Sequence, residues 1–227
     1  MESLDRALHQ EQYFERFTEQ DQKKRKCAHC RISYMVHARQ LSPRERAVIL
    51  SHWKKALEHL QPWKRLHIFA MEVSFLVFSS GEFPYPHTHG KSIMLPETLV
   101  AQLVEAPSHA SFQKTLLHEL IHIYQRHYPA ETATYLQFVL GVRIHTLQRP
   151  RPDQRANPDV NMIVYENSDG SLIQALYDPT KADTSDILDA RDHPYEMMAY
   201  ALANDLVKDG RTPPSNVTMK WMVANFQ

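Results

Sequence analysis

Cysteine, glycine and net charge are all scarce in this sequence, and each scarcity excludes something. Two cysteines, Cys27 and Cys30, are too few for a disulfide framework and fit a reducing compartment. Only 5 glycines, against 43% hydrophobic residues and charges spread along the whole length, describe a folded chain rather than a disordered one. The 26 basic and 26 acidic residues cancel, which leaves no broad electrostatic footprint for nucleic acid, and none is expected as a partner. No apolar run reaches the 18 or so residues that a membrane span requires, and MESLDRALHQEQYFERF lacks the apolar stretch of a secretory signal. The chain therefore reads as soluble, intracellular and cytoplasmic, without a membrane partner. A nuclear address is open only through the basic run Lys23 to Lys26.

At 227 residues the chain suits one main core with a modest appendage. The spacing divides it into an N-terminal helical region over 1–62, packed on a mixed domain over 63–227. Residues 3–26 mix charge with Leu4, Leu8, Tyr13, Phe14 and Phe17 and are expected to be helical. Ser42 and Pro43 open a second helix to about residue 60, with Val48, Ile49, Trp53, Ala56, Leu57 and Leu60 at helical spacing. LHIFAMEVSFLVFSS (66–80) reads as one strand or a bent pair, GEFPYPHTHGK (81–91) as a loop, and SIMLP (92–96) as a short strand. From Ser108 or Ser111 helical spacing returns until Pro129, and residues 131–147 are expected to form another helix. QRPRPDQRANPDVN (148–161) reads as an extended loop. Residues 162–178 read as a hairpin turning at Asn167 to Gly170, and the last clear helix starts at Pro194 and runs to about Lys208. A few strands between segregated helices predict an α+β architecture.

The helix before Pro129 carries KTLLHELIHIYQRHYP, and within it His118, Glu119 and His122 form HExxH. Residues four apart on a helix stand about one turn above each other, so both imidazoles can address one ion. Glu119, about 100° round the helix, falls outside that fork and within reach of a water. A metal that acidifies a water, beside a carboxylate that takes its proton, is the chemistry of metal-dependent peptide hydrolysis. Leu120 and Ile121 point to the other flank, while Thr115 and Gln125, about a turn to either side, add nothing to the pattern.

A catalytic zinc takes three protein ligands and leaves one position open. The longer HExxHxxGxxH pattern does not continue here, since Gln125 and Tyr128 replace its Gly and His and His127 is one residue out of register. In ARDHPYEMMAYALANDL, Glu196 lies in the first turn of a helix whose face continues through Ala199, Tyr200 and Ala203, and small residues there permit close approach of another helix. Glu196 is the leading third ligand, with His193, Asp192 and Asp189 as alternatives.

With these residues the chain resembles the zincin metallopeptidases of the gluzincin type, in which a helical HExxH is joined by a glutamate from a later helix. The resemblance spans roughly residues 66–208, and only the HExxH is specific. It implies a zincin-like α+β catalytic domain, one Zn2+ held by His118, His122 and Glu196, Glu119 as general base, and a peptide or protein substrate. It also implies an edge strand before the active-site helix, a place taken here by residues 92–96. Tyr200 departs from the pattern, since many gluzincins carry an acid there to support a ligand His. Tyr195, Tyr200, Tyr165 and His193 are all open as donors to an oxyanion.

Cys27 and Cys30 suggest half of a zinc knuckle that His37, His87 or His89 would have to complete, or else two ordinary thiols. His87 and His89 read as the rim of a cleft or as plain loop. Two rival functions stand beside peptide hydrolysis: a silent metal-binding scaffold, and a protease recruited to nucleic acid.

Overall fold

The computed structural model describes residues 1–24, 30–81, 83–106, 111–146, 156–161, 163–173, 193–207 and 215–227. Ten α-helices and seven strands run through these segments in a mixed α+β order. Outside them lie Arg25 to His29, with Cys27 and half of the basic run, the alternative ligands Asp189 and Asp192, most of the expected loop 148–161, the end of the expected hairpin at 174–178, and Lys208.

A four-stranded sheet organises the fold. Its strands are β1 (Ala38–Arg39), β2 (Ser74–Phe78), β3 (His87–His89) and β4 (Ser92–Pro96), in the order β1-β2-β4-β3. β2 and β4 run parallel, while β1 and β3 are antiparallel to their neighbours. Successive side chains of a strand point to opposite faces. Phe75, Val77, Ile93 and Leu95 accordingly enter one core, and Leu76, Phe78 and Met94 enter another on the reverse face. A sheet buried on both sides explains why 75–78 is a continuous apolar run.

The reverse face is covered by the N-terminal segment, and the expected single helix over 3–26 is broken there. α1 (Glu2–Gln10) ends where Gln12 takes a positive φ of 49°, a 3₁₀ turn follows at Phe14–Arg16, and α2 spans Glu19–Lys24. Leu4, Leu8 and Tyr13 pack there with Tyr34 of α3 (Arg31–His37), a helix that the sequence reading did not anticipate.

The larger core lies on the front face. α4 (Pro43–His59) starts as expected, with Ser42 capping the Glu45 amide and Glu45 reaching back to the Ser42 amide. Its Ile49, Trp53 and Ala56 join the same core as residues of 66–226, so the two sides of the 62/63 boundary share one interior. The strand expected from residue 66 begins only at Ser74. Residues Lys64–Ala70 form α5, because Leu66, Phe69 and Ala70, at i, i+3 and i+4, all bury on one helical face.

Two further expectations are corrected. Helix α8 (Pro129–Phe138) does not reach residue 147: the Val139 and Leu140 amides both bond back to the Tyr135 carbonyl, Gly141 turns at φ 70°, and β5 (Arg143–Thr146) follows. Residues 92–96 are not an edge, because β3 pairs along β4 and leaves it interior, buried throughout. The hairpin is present as β6 (Val164–Glu166) and β7 (Leu172–Ile173), joined by an Asn167–Ser171 turn with Gly170 at φ 83°, and β5 adds a third strand.

Helix α6 (Glu97–Glu105) follows β4, and α7 (Phe112–His127) follows α6. The last two helices are α9 (Pro194–Val207), starting at the expected proline, and α10 (Asn216–Phe226), which closes on α5 and α8. α7 runs through the middle of the front core, with Leu116, Leu117, Leu120, Ile121, Ile123 and Tyr124 all buried, and packs most extensively against α9. Ala199 and Ala203 are fully buried in α9, which permits the close approach. No helix of the described residues is long and apolar enough to cross a membrane.

Candidate metal centre

His118 and His122 project from α7 toward Glu196 in the first turn of α9. His118 Nε2 and His122 Nε2 are 3.0 Å apart, and Glu196 Oε2 lies 3.2 Å from the first and 3.4 Å from the second. Donors about 2.0–2.1 Å from a tetrahedral ion stand about 3.3 Å apart, so this near-equilateral triangle has the dimensions of three corners of such a site. Among the described residues, this is the one group of histidines, cysteines and carboxylates whose donor atoms converge so closely. Two imidazoles and a carboxylate also make a donor set suited to zinc.

The electrostatics fit a cation. Burial tends to raise the Glu196 carboxyl, but His122 and His118 outweigh it and hold it well below the usual carboxylate range. Burial tends to lower His122, yet Glu196, with help from Asp159 and Glu119, raises it to about 9. His118 is pushed down by burial beyond what Glu196 restores. Glu196 is thus held as an anion beside two imidazoles, a polarity that would suit a bound cation.

Glu119 is buried beside the triangle, and its Oε2 has no hydrogen-bond partner. Burial, and after it the negative charge of Asp159, push its pKa well above the ordinary value. A sealed carboxyl oxygen with an elevated proton affinity is equipped to take a proton from water.

The supporting residues were not visible in the sequence. Gln125, assigned no part there, is buried and bridges the two ligand-bearing helices. Its Oε1 is 2.9 Å from His122 Nδ1, and its Nε2 donates to the Tyr195 carbonyl at 2.8 Å. The carbonyl fixes the amide's orientation, so Oε1 must accept from His122 Nδ1–H, which leaves Nε2 to face the triangle. Asp159, on the loop reaching residue 161, accepts from the Thr88 amide at 2.9 Å and the Thr88 hydroxyl at 2.5 Å while its charge acts on Glu119. An aspartate after Asn-Pro signals only a turn, and nothing local marks it as a neighbour of α7.

Other candidates separate. Tyr200 lies over the His118 ring, with centroids 4.3 Å apart, in the position where the resemblance led to an acid. His118 Nδ1 is buried without a hydrogen-bond partner. His193 is outside the ligand triangle: its Nδ1 accepts the Tyr195 amide at 3.2 Å, and burial lowers its pKa to about 3. Tyr165 receives the Asn161 side-chain amide at 2.8 Å. His127 turns the other way, donating from Nδ1 to the Ile123 carbonyl at 2.9 Å.

His87 and His89 are neither loop nor rim. Both are buried in β3, His87 against the Tyr34 hydroxyl at 2.5 Å and His89 against Glu11 at 2.7 Å, because β4 and the N-terminal aromatics enclose that strand. His37 is beside Ser79, and the Cys30 sulfur is beside Ser33 at the start of α3, so these groups do not converge on one point. No protein-family model matches the chain, and neither a curated protein nor a solved structure does so.

Proposed function

We propose that the chain is a zincin-like, zinc-dependent peptidase of the gluzincin type. The observation that carries this reading is the triangle of His118 Nε2, His122 Nε2 and Glu196 Oε2 at 3.0–3.4 Å, with the Glu119 carboxyl buried beside it. His118, His122 and Glu196 hold the ion, and Gln125 keeps His122 in the ligating tautomer. Zinc, when bound, supplies Lewis-acid activation of water and of the scissile carbonyl. Glu119 takes the proton of the attacking water and delivers it to the leaving amine as the peptide bond breaks. The burial that raises its proton affinity also suits it to the second task.

The buried, partnerless Glu119 oxygen favours an enzyme over a silent metal scaffold, because a purely structural centre has no use for that carboxylate. Glu119→Gln is expected to retain zinc at parental stoichiometry and to lose hydrolysis of a peptide mixture by at least about 100-fold, the scale of general-base catalysis. Parental rates in that variant would refute the mechanism, and a purified chain that takes up no zinc would refute the centre.

A further inference from the structure

One turn beyond His122 on α7, on the far side of Gln125, the structure contains a cavity of about 290 Å³ lined by Arg16, Arg126, Gln125, Asn161 and Tyr195, together with the carboxylates of Glu11 and Asp159. The peptidase chemistry proposed above makes no use of it. Its two acids are already committed. Glu11 meets His89 Nδ1 at 2.7 Å, the Gly90 amide at 2.6 Å and Arg126 Nε at 3.2 Å, while Asp159 receives both donors of Thr88.

Its two arginines donate mostly to neutral oxygens. Arg126 donates to the Pro158 carbonyl at 3.2 Å and to the Thr88 hydroxyl, and Arg16 donates through Nη1 to the Val160 carbonyl at 3.1 Å. Among the described residues Arg16 forms no ion pair and no second hydrogen bond, and its Nε is sealed from solvent without an acceptor. Burial lowers the proton affinity of Arg16, although the Tyr13 ring, 5.2 Å from its guanidinium, and the carboxylates of Glu11 and Asp159 act the other way. A guanidinium that has donors to spare and borders a cavity can take a carboxylate, whose two oxygens match its fork.

We infer that this cavity binds a carboxylate of the substrate through Arg16 and Arg126, so that the chain prefers peptides bearing an acidic side chain or a free C-terminus on one side of the cleavage point. The source of the carboxylate rests on the peptidase reading, whereas binding of the anion does not. Arg126 is four residues beyond His122, which is about 6 Å along the helix axis and a distance that a peptide held at the metal centre can span.

Acetate is the direct probe. Titrated into the parent chain, it is expected to shift the side-chain Nε–H resonances of Arg16 and Arg126 saturably where equal chloride does not, and Arg16→Gln is expected to abolish the response. Acetate shifts indistinguishable from chloride in the parent overturn the inference, whether or not Arg16→Gln folds. Arg16→Lys, which keeps the charge and loses the fork, is expected to bind acetate more weakly than the parent.

Zinc-loaded Glu119→Gln then separates the two sources by calorimetry. A free-acid peptide that binds about tenfold tighter than its C-terminal amide identifies the terminal carboxylate, and an Asp peptide favoured to that extent over its Asn counterpart identifies a side chain. Equal affinity for all four peptides overturns the inference. A chain that binds acetate at Arg16 yet hydrolyses no peptide refutes the proposed peptidase function and upholds the anion site.

Discussion

Gln125 Oε1 stands 2.9 Å from His122 Nδ1, so a residue one turn past a candidate ligand sets that ligand's tautomer. The same amide reaches the backbone of Tyr195, next to Glu196. Replacing Gln125 with Ala is expected to weaken zinc binding by about 10- to 100-fold, the usual effect of losing a ligand's outer partner. Competition with a chromophoric chelator would measure it, and parental affinity in the variant would deny Gln125 its positioning role.

Glu196→Ala removes one corner of the triangle and leaves His118 and His122 facing each other at 3.0 Å. The variant is expected to lose zinc at concentrations that saturate the parent, and the parent's gain in Tm on adding zinc is expected to shrink with it. Undiminished affinity would move the third ligand elsewhere.

The Glu11 carboxyl supplies an acid-sensitive part of the stability. Burial tends to raise it, but the His89 hydrogen bond, with the His89 and Arg126 charges and the Gly90 amide, outweighs burial and lowers it from 4.5 to about 2. A folded-state pKa below the unfolded one gives stabilisation that is complete above the unfolded value and is lost as pH falls through the folded one. Urea unfolding of parent and Glu11→Gln is therefore expected to differ by about 2–3 kcal/mol at pH 7 and to converge between pH 4.5 and 2. A difference independent of pH would assign the effect to packing instead.

Gly90 has φ 56°, and a Cβ there would meet the Ala7 Cβ at 2.8 Å. Gly90→Ala is expected to cost about 1–3 kcal/mol from the overlap and the left-handed backbone together. Ala7→Gly, which alone is expected to cost about 1 kcal/mol within α1, should cost less in the Gly90→Ala background, where it relieves the overlap. Chemical denaturation of both single variants and the double variant measures that difference, and strictly additive costs would mean that the overlap is unimportant.

What the sequence revealed was what local spacing encodes. Ser42 and Pro43 announced α4, Pro194 announced α9, Asn167 to Gly170 announced the hairpin turn, and the spacing of His118, Glu119 and His122 placed them together on one helix. Glu196 could be nominated because its helix was legible and small residues marked a face able to approach another helix. The strand expected over 66–80 takes in residues 66–70 because their apolar side chains, at i, i+3 and i+4, are followed within a few residues by those of the true strand. β3 was hidden among prolines, and its pairing with β4 arises from the tertiary fold rather than from alternation within three residues. Asp159 and Tyr200 gained their places only from contacts between distant segments, which leave no periodic trace in the chain, and Gln125, though at helical spacing from His122, gained its second partner on α9 in the same way.

β3 forms the outer margin of the sheet beside β4, and two backbone amides near that margin, those of Thr88 and Gly90, are already engaged by the Asp159 and Glu11 side chains. Carboxylates do not extend a ladder, and they repel a second carboxylate-bearing strand that approaches in the same way. The margin is thereby guarded against edge-to-edge stacking of one molecule on another, the first step toward fibrous aggregates.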